Sequence, residues 1–141
     1  MLTISRTTRV FLSTQPTDMR KGFDGLFALV ENVIREDPFS GHLFVFRNQR
    51  RNQRRDRLKV LWWDRDGLAI FYKRLERGSY EFPTDRTTKG SSVPGGDSRR
   101  LEIRADELAL LLEGIDLQSV KRRPRYQHPA NAPANVPASS L

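Results

Sequence analysis

The sequence predicts an α+β domain, with one long helix packed on a mostly antiparallel sheet of four to six strands and a shorter C-terminal helix. Short runs rich in β-branched and aromatic residues recur along the chain, as is typical of strands. Between the first two runs, apolar residues recur at three- and four-residue spacing, as on one face of a helix. A second apolar stripe of helical spacing lies near residue 110.

A chain of 141 residues is expected to form one folded domain. We predict that this domain spans residues 1–123 and contains a mobile loop at residues 84–99, where Gly, Ser, Thr and Pro dominate. Residues 124–141 are rich in Pro, Ala, Asn and Ser, and they are predicted to form a disordered tail.

The first strand is predicted at residues 7–13, and the long helix follows Pro16. Asp18 is the expected N-cap, and the proline after Asp37 is expected to stop the helix there. Gly22 and Gly25 lie unfavourably in its first turns. These glycines indicate either close packing of the helix start on the sheet or a later helix start near Phe23. Either structure is compatible with a phosphate bound by Arg20, Lys21 and free backbone N–H groups at the helix start.

Further strands are predicted at residues 42–46, 58–63, 68–73 and 100–104, with a short edge strand at residues 80–82. The sequence Asp64-Arg65-Asp66-Gly67 indicates a hairpin turn, with the glycine supplying the positive φ. A last helix is predicted from Ala105 with its C-terminal cap at Gly114. Residues 58, 60 and 62 are all apolar, whereas residues 59, 61 and 63 are mixed, so one sheet face is expected to remain partly open to solvent or a ligand.

The chain carries a formal charge of +8, most of it from one segment. Residues 47–59 contain seven basic residues against the single acid Asp56, and residues 121–125 form a second basic cluster. Such an excess favours a polyanionic partner, which is nucleic acid, an acidic protein or anionic lipid. The tandem RNQR at residues 47–54 indicates a local insertion at a loop tip.

The arginines provide planar, bidentate phosphate donors, and nearby aromatic residues offer surfaces on which bases stack. The opposing interpretation is a solvated loop beside core aromatics. The candidate nucleic-acid-binding residues are Arg20, Lys21, Arg47, Arg50, Arg51, Arg54, Arg55, Arg57, Lys59, Trp63, Lys73, Arg74, Arg122 and Arg123.

A small metal-dependent nuclease is an alternative, because Asp64 and Asp66 form a D-x-D pair beside the basic segment. The same residues suit a tight turn, and no third acid is placed to complete a metal site. His42 and His128 have no evident catalytic partner. We therefore predict no catalytic residue, no bound metal and no cofactor, and the lack of a long apolar run predicts a cytoplasmic protein with no membrane partner.

Several segments together resemble the small accessory protein of the insertion-sequence sixty-six family of bacterial transposable elements, the second-open-reading-frame product often labelled TnpB. They are PTDMRKGFDGL at residues 16–26, HLFVFRN at 42–48, DRLKVLWWD at 56–64, FYKRLER at 71–77 and LALLLEGI at 108–115.

The resemblance implies a non-catalytic role in transposition beside a separate, larger transposase that carries the catalytic carboxylates. It leaves open DNA binding, at element ends or non-specifically, or a protein adaptor that docks the transposase without contacting DNA. The chain departs from the family pattern in the second RNQR copy and in a longer link after residue 83.

Overall fold

The computed structural model describes residue 5, residues 7–83 and 99–113, and the backbone of residues 115, 116, 121 and 122. The predicted loop, apart from residue 99, and the predicted tail lie outside the described residues. Gly114 and Arg123 lie outside them as well.

Five strands form one sheet in the order β4-β3-β2-β1-β5. The strands are β1 (Val10–Ser13), β2 (Leu43–Arg47), β3 (Arg57–Asp64), β4 (Gly67–Arg74) and β5 (Arg100–Ile103). β1 and β2 are parallel, whereas the other three neighbouring pairs are antiparallel. The α+β class is confirmed, and the parallel pair makes the sheet mixed because a helix connects these two strands. Two short segments, β6 (Ile115–Asp116) and β7 (Lys121–Arg122), pair separately.

The first helix is shorter than predicted. α1 (Phe23–Leu29) continues into a π-helical turn (Val30–Ile34), 12 residues in all. The Asp18 carboxylate accepts the Arg20 backbone N–H at 2.9 Å in a preceding turn, so Asp18 does not cap the helix as predicted. The helix ends where Arg35 takes a left-handed φ of 62°. The long helix is therefore wrong, and the alternative of a later start is confirmed.

A helix packs on each face of the sheet. α1 packs on one face, where the buried side chains are Phe11, Leu26, Val30, Ile34, Phe44, Phe46 and Leu61. The second helix, α2 (Ala105–Leu112), buries Leu108 and Leu111 against the other face. Lys59 and Trp63 lie on the α1 face, because they alternate with Val60 and Trp62 along β3.

The face that carries Lys59, Leu61 and Trp63 is covered by α1 at Leu61, whereas Tyr72 on the same face is 47% exposed. The expected edge strand at residues 80–82 is wrong. Tyr80 and Phe82 are fully buried in the core on the α2 side and are not part of the sheet. Two large aromatic side chains remove more apolar area from water as a cover over the sheet than as a strand at its edge.

The predicted β3–β4 hairpin is confirmed, since Asp64 pairs with Gly67 across a two-residue turn. The positive φ of 61° belongs to Arg65 and not to Gly67, so the role expected of the glycine is wrong. In the described part of the chain, no helix has the length and apolar character needed to cross a membrane.

Candidate nucleic-acid interface

The arginine-rich segment between β2 and β3 folds around Asp56. This residue is only 1% exposed. Its carboxylate accepts a hydrogen bond from Asn48 Nδ2 at 2.9 Å, and it lies 3.2 Å from Arg50 Nη1 and 3.8 Å from Arg54 Nη1. One buried carboxylate therefore forms ion pairs with two arginines of the loop, Arg50 and Arg54.

The buried Asp56 carboxylate stays ionised. Burial by itself would raise its pKa, because a charged group is poorly solvated in the interior. The hydrogen bonds from Asn48 and Arg50 and the charge of Arg54 outweigh burial and hold the pKa of Asp56 below its usual value. The loop therefore has a permanent negative centre under its cationic surface.

The second RNQR copy is built into the fold through Arg54. Its guanidinium donates to the carbonyl oxygens of Gly78 at 3.1 Å and Leu75 at 3.0 Å. The pairing of β2 and β3 continues to Arg47 and Leu58, at the base of the loop. The duplication is thus accommodated without loss of strand pairing.

A second loop, residues 17–21, is held against the sheet by Lys59 of β3. The Lys59 ammonium donates to the carbonyl oxygens of Met19 at 2.9 Å and Lys21 at 2.8 Å, and it lies 4.7 Å from the Tyr72 ring centroid. Thr17 N–H also donates to the Arg47 carbonyl at 2.9 Å. Lys59 is only 8% exposed, so its contacts are those of an internal brace.

Replacing Lys59 with methionine is expected to lower the free energy of unfolding by about 1–3 kcal/mol, because two carbonyl groups lose a charged donor. Urea denaturation measures this effect. Lys73 is the matched control, because it is exposed and, among the described residues, its side chain makes one hydrogen bond, to the Leu112 carbonyl at 3.0 Å. Lys73→Met should cost less than half as much, and equal losses would contradict the bracing role of Lys59.

The two loops meet in an open cleft of about 470 Å³. Its lining residues are Thr17, Asp18, Met19, Arg20, Asn48, Gln49, Arg50 and Arg57. Three arginines from separate parts of the sequence, Arg20, Arg50 and Arg57, are thereby brought to one concave surface. Guanidinium groups arranged in this way are suited to binding phosphate oxygens.

Asp18 is the acidic residue of the cleft lining. Its carboxylate lies 2.7 Å from Arg20 Nη2. Hydrogen bonds from the side chain and backbone of Arg20 lower the pKa of Asp18 to about 2. It therefore remains negatively charged near neutral pH and offsets part of the positive charge of the cleft.

The cationic surface continues from the cleft onto the edge strand β4. Arg57 lies directly opposite Arg74, and Lys59 lies opposite Tyr72. Like charges facing each other across a strand pair are unfavourable without an anion between them. Tyr72 is 47% exposed and its hydroxyl lies 3.4 Å from Arg57 Nη1, so an aromatic ring adjoins the arginines.

Tyr72 is one of the aromatic residues that the sequence offers as a stacking surface, but neither Tyr72 nor Gln49 is among the candidate binding residues predicted from the sequence. The alternation of β3 and β4 places residues 57, 59, 72 and 74 on one face, but it does so only once the pairing register is known. Gln49 lies in the loop between β2 and β3, where no helical or strand periodicity predicts which side chains face the cleft.

The remaining candidates are distributed over the molecule. Arg47 is 4% exposed, donates to the Tyr80 carbonyl at 2.9 Å and lies 3.8 Å over the Phe82 ring. Arg51 and Lys21 are exposed, and Arg54 and Arg55 are half-buried. Lys73 lies on the α2 face of the sheet, as its contact with Leu112 shows. Arg122 is described only as backbone.

Trp63 lies at the far end of β3 from Arg57 and is half-buried, with its ring 5.1 Å from that of Phe39. Asp64 and Asp66 are both exposed beside it in the hairpin. Among the described residues, no three His, Asp or Glu side chains lie close enough together to hold a metal ion.

The fold and cleft define a small α+β protein in which helices cover both faces of a mixed sheet and arginines gather at one end. The chain belongs to the IS66 Orf2-like protein family, whose model matches residues 8–122, and the resemblance inferred from the sequence is thus confirmed. This family membership supports a role associated with transposition.

Two similar proteins come from Sinorhizobium fredii (strain NBRC 101917 / NGR234). "Uncharacterized protein y4jC" is 38% identical over 124 residues, which cover 88% of this chain and 93% of that protein. "Uncharacterized protein y4hO" is 38% identical over 116 residues, which cover 82% and 88%. No solved structure matches the chain.

Proposed function

We propose that this protein is a non-catalytic accessory factor of transposition that binds DNA phosphates while acting with a separate transposase in the cytoplasm. The observation that carries the proposal is the meeting of Arg20, Arg50 and Arg57 in one open cleft. Asp18 pairs with Arg20 and the buried Asp56 pairs with Arg50, so the three arginines still exceed the nearby carboxylates by one positive charge. Family membership supplies the transposition context.

The proposed DNA surface consists of the cleft and the adjoining edge of β4. Its members are Arg20, Lys21, Arg50, Arg57, Tyr72 and Arg74. Arg20 and Arg74 each pair with a neighbouring acid at the surface, Asp18 and Glu76. Exposed pairs of this kind are weak, so a phosphate group competes for these arginines at little cost.

The test is a mobility-shift series with element-end and scrambled duplexes between about 50 and 200 mM salt. Four neutralised phosphates would give a slope of log affinity against log salt of about −3.6, at −0.9 per phosphate. Tighter binding to the element end would indicate sequence recognition, and equal binding would indicate phosphate contacts alone. Absence of binding at the lowest salt would contradict the proposal.

Asp18→Asn is expected to strengthen DNA binding about two- to fivefold, because Arg20 is released and the cleft loses a negative charge. Glu102→Gln is a matched control, because the Glu102 carboxylate also pairs with an arginine, Arg9, at 2.7 Å. Glu102 lies on β5, at the opposite edge of the sheet from β4. The two variants are compared in the same mobility-shift assay. Equal effects of both would indicate a response to net charge alone and not to the cleft.

A further inference from the structure

Tyr72 presents an aromatic ring at an open edge of the sheet. It lies on β4, the last strand of the sheet order, and among the described residues no strand pairs with the outer edge of β4. Tyr72 is 47% exposed. The Lys59 ammonium, from the neighbouring strand β3, lies over the ring at 4.7 Å from its centroid. The opposite face of the ring is therefore directed away from β3, toward the open edge.

The contacts of the Tyr72 ring hold it in this position. The Lys59 ammonium over the ring is itself fixed, because it donates to the carbonyl oxygens of Met19 and Lys21. The Tyr72 hydroxyl lies 3.4 Å from Arg57 Nη1, which is longer than an ordinary hydrogen bond and leaves the guanidinium available to a ligand. A flat ligand that covers the ring therefore causes little loss of side-chain freedom.

The sheet face around Tyr72 is cationic. On β3 and β4 the side chains of this face belong to residues 57, 59, 61, 63, 68, 70, 72 and 74. Three of these residues are basic and none is acidic. Glu76, beyond the end of β4, pairs with Arg74 at the exposed surface, and such pairs are weak. The buried Asp56 is already paired within its own loop. The ring thus lies on a face that favours an anionic ligand.

The combination of an exposed ring with arginines indicates which anionic ligand suits this face. Arg57 adjoins the ring and also lines the cleft, and Arg74 lies about 7 Å from Tyr72 along β4. A nucleobase can stack on the ring while its flanking phosphates contact these two guanidinium groups. Acidic proteins and lipid headgroups engage the arginines alone. In an intact duplex the base faces are covered by neighbouring base pairs, so a stacked base must come from an unpaired segment.

We propose that Tyr72 stacks a base of an unpaired DNA segment whose phosphates contact Arg57 and Arg74. This inference rests on the proposed function, because it names the form of DNA that the same surface takes. Phosphate contacts in the cleft are available to duplex and single strand alike, whereas the ring of Tyr72 selects DNA whose strands have separated.

The experiment measures binding of the full chain to a labelled single-stranded oligonucleotide and to its blunt duplex by fluorescence anisotropy near 0.1 M salt. Tyr72→Leu removes the stacking ring. It is expected to weaken single-strand binding about tenfold, since stacking on an aromatic side chain is typically worth about 1–3 kcal/mol per base. Duplex affinity should change by less than about twofold, because the phosphate contacts remain.

Two further variants are matched controls. Tyr72→Phe keeps the ring and removes the hydroxyl, and it should bind the single strand as the unaltered chain does. Phe39→Leu removes another exposed aromatic ring, 54% accessible in the turn before β2, and it should also leave single-strand binding unchanged. Equal losses in Tyr72→Phe and Tyr72→Leu would show that the hydroxyl, and not the ring, makes the contact, and would overturn the proposal.

Photocrosslinking tests the stacking contact in the unaltered chain. A single strand containing 5-iododeoxyuridine is irradiated with the protein, and mass spectrometry should locate the crosslink at Tyr72. If melting shows that Tyr72→Leu perturbs the fold, this measurement decides, and a crosslink elsewhere or none at all would overturn the proposal.

The two forms of DNA separate this inference from the proposed function. Duplex binding together with a single-strand affinity that is independent of Tyr72 would overturn the stacking inference and leave the proposed function standing. Tyr72-dependent binding of the single strand without duplex binding would support stacking and contradict the duplex contacts. Absence of binding to either form would overturn both.

Discussion

Asp56→Asn is expected to lower the free energy of unfolding by about 3 kcal/mol, the largest effect predicted for a single substitution in this protein. The carboxylate lies within reach of Asn48, Arg50 and Arg54 and is 1% exposed. An asparagine of the same shape turns one acceptor into an N–H donor. That donor would face guanidinium groups that can only donate, so the interior loses charge compensation and gains a donor without an acceptor.

Equilibrium urea denaturation measures the loss, and Glu31→Gln is the matched control. Glu31 is an exposed carboxylate on the helix, and its conversion to an amide should change stability by less than about 0.5 kcal/mol. A similar small change for Asp56→Asn would show that the carboxylate does not organise the arginine loop.

The Asp56 contribution also has a definite pH dependence. Its folded pKa is depressed, so its stabilisation is complete above the unfolded-state pKa of about 3.9 and is lost as pH falls through the lower folded pKa. The stability gap between the unaltered protein and Asp56→Asn should therefore narrow as pH falls from about 6 to about 3. Asp18 and Glu102, whose pKa values are also lowered, are common to both proteins and cancel in this difference. A gap independent of pH would show that ionisation of Asp56 is not the cause.

Combined replacement of Arg20 and Arg57 by glutamate is expected to weaken DNA binding by about 10- to 100-fold near 0.1 M salt. Both arginines line the cleft, so two phosphate contacts become two repulsive charges. The slope of log affinity against log salt should become shallower by about 1.8. Arg50 is left unchanged because it pairs with the buried Asp56, and its reversal would disturb the fold.

The control for this charge reversal is Arg65→Glu. Arg65 is exposed in the hairpin turn after β3, about 23 Å along that strand from Arg57. It should reduce binding by no more than about threefold, through net charge alone. Unchanged DNA affinity in the folded Arg20/Arg57 double variant would place the DNA contact outside the cleft.

The amino-acid sequence by itself determined the α+β class, the hairpin at residues 64–67 and the second helix. Local chemistry is sufficient for these features, since strand alternation, a turn sequence and a leucine stripe each act over fewer than about ten residues. The sequence also located the basic excess at residues 47–59, because the charge of a segment can be read directly from its residues. The family resemblance rested on longer motifs and was confirmed.

Tertiary structure alone decided which cationic residues share a surface and which brace the interior. Arg47 and Lys59 have the same charge as Arg50 and Arg57, yet the first two are buried and the second two line the cleft. Arg47 lies under the Phe82 ring, whereas Lys59 shares a face of β3 with Arg57 and is buried because its ammonium binds the carbonyl oxygens of Met19 and Lys21. Tyr80, Phe82 and the loop at residues 17–21 provide the cover, and they reach the sheet only when the whole chain folds. Contacts between residues distant in sequence set burial, and burial decides whether a cation contacts the interior or a ligand.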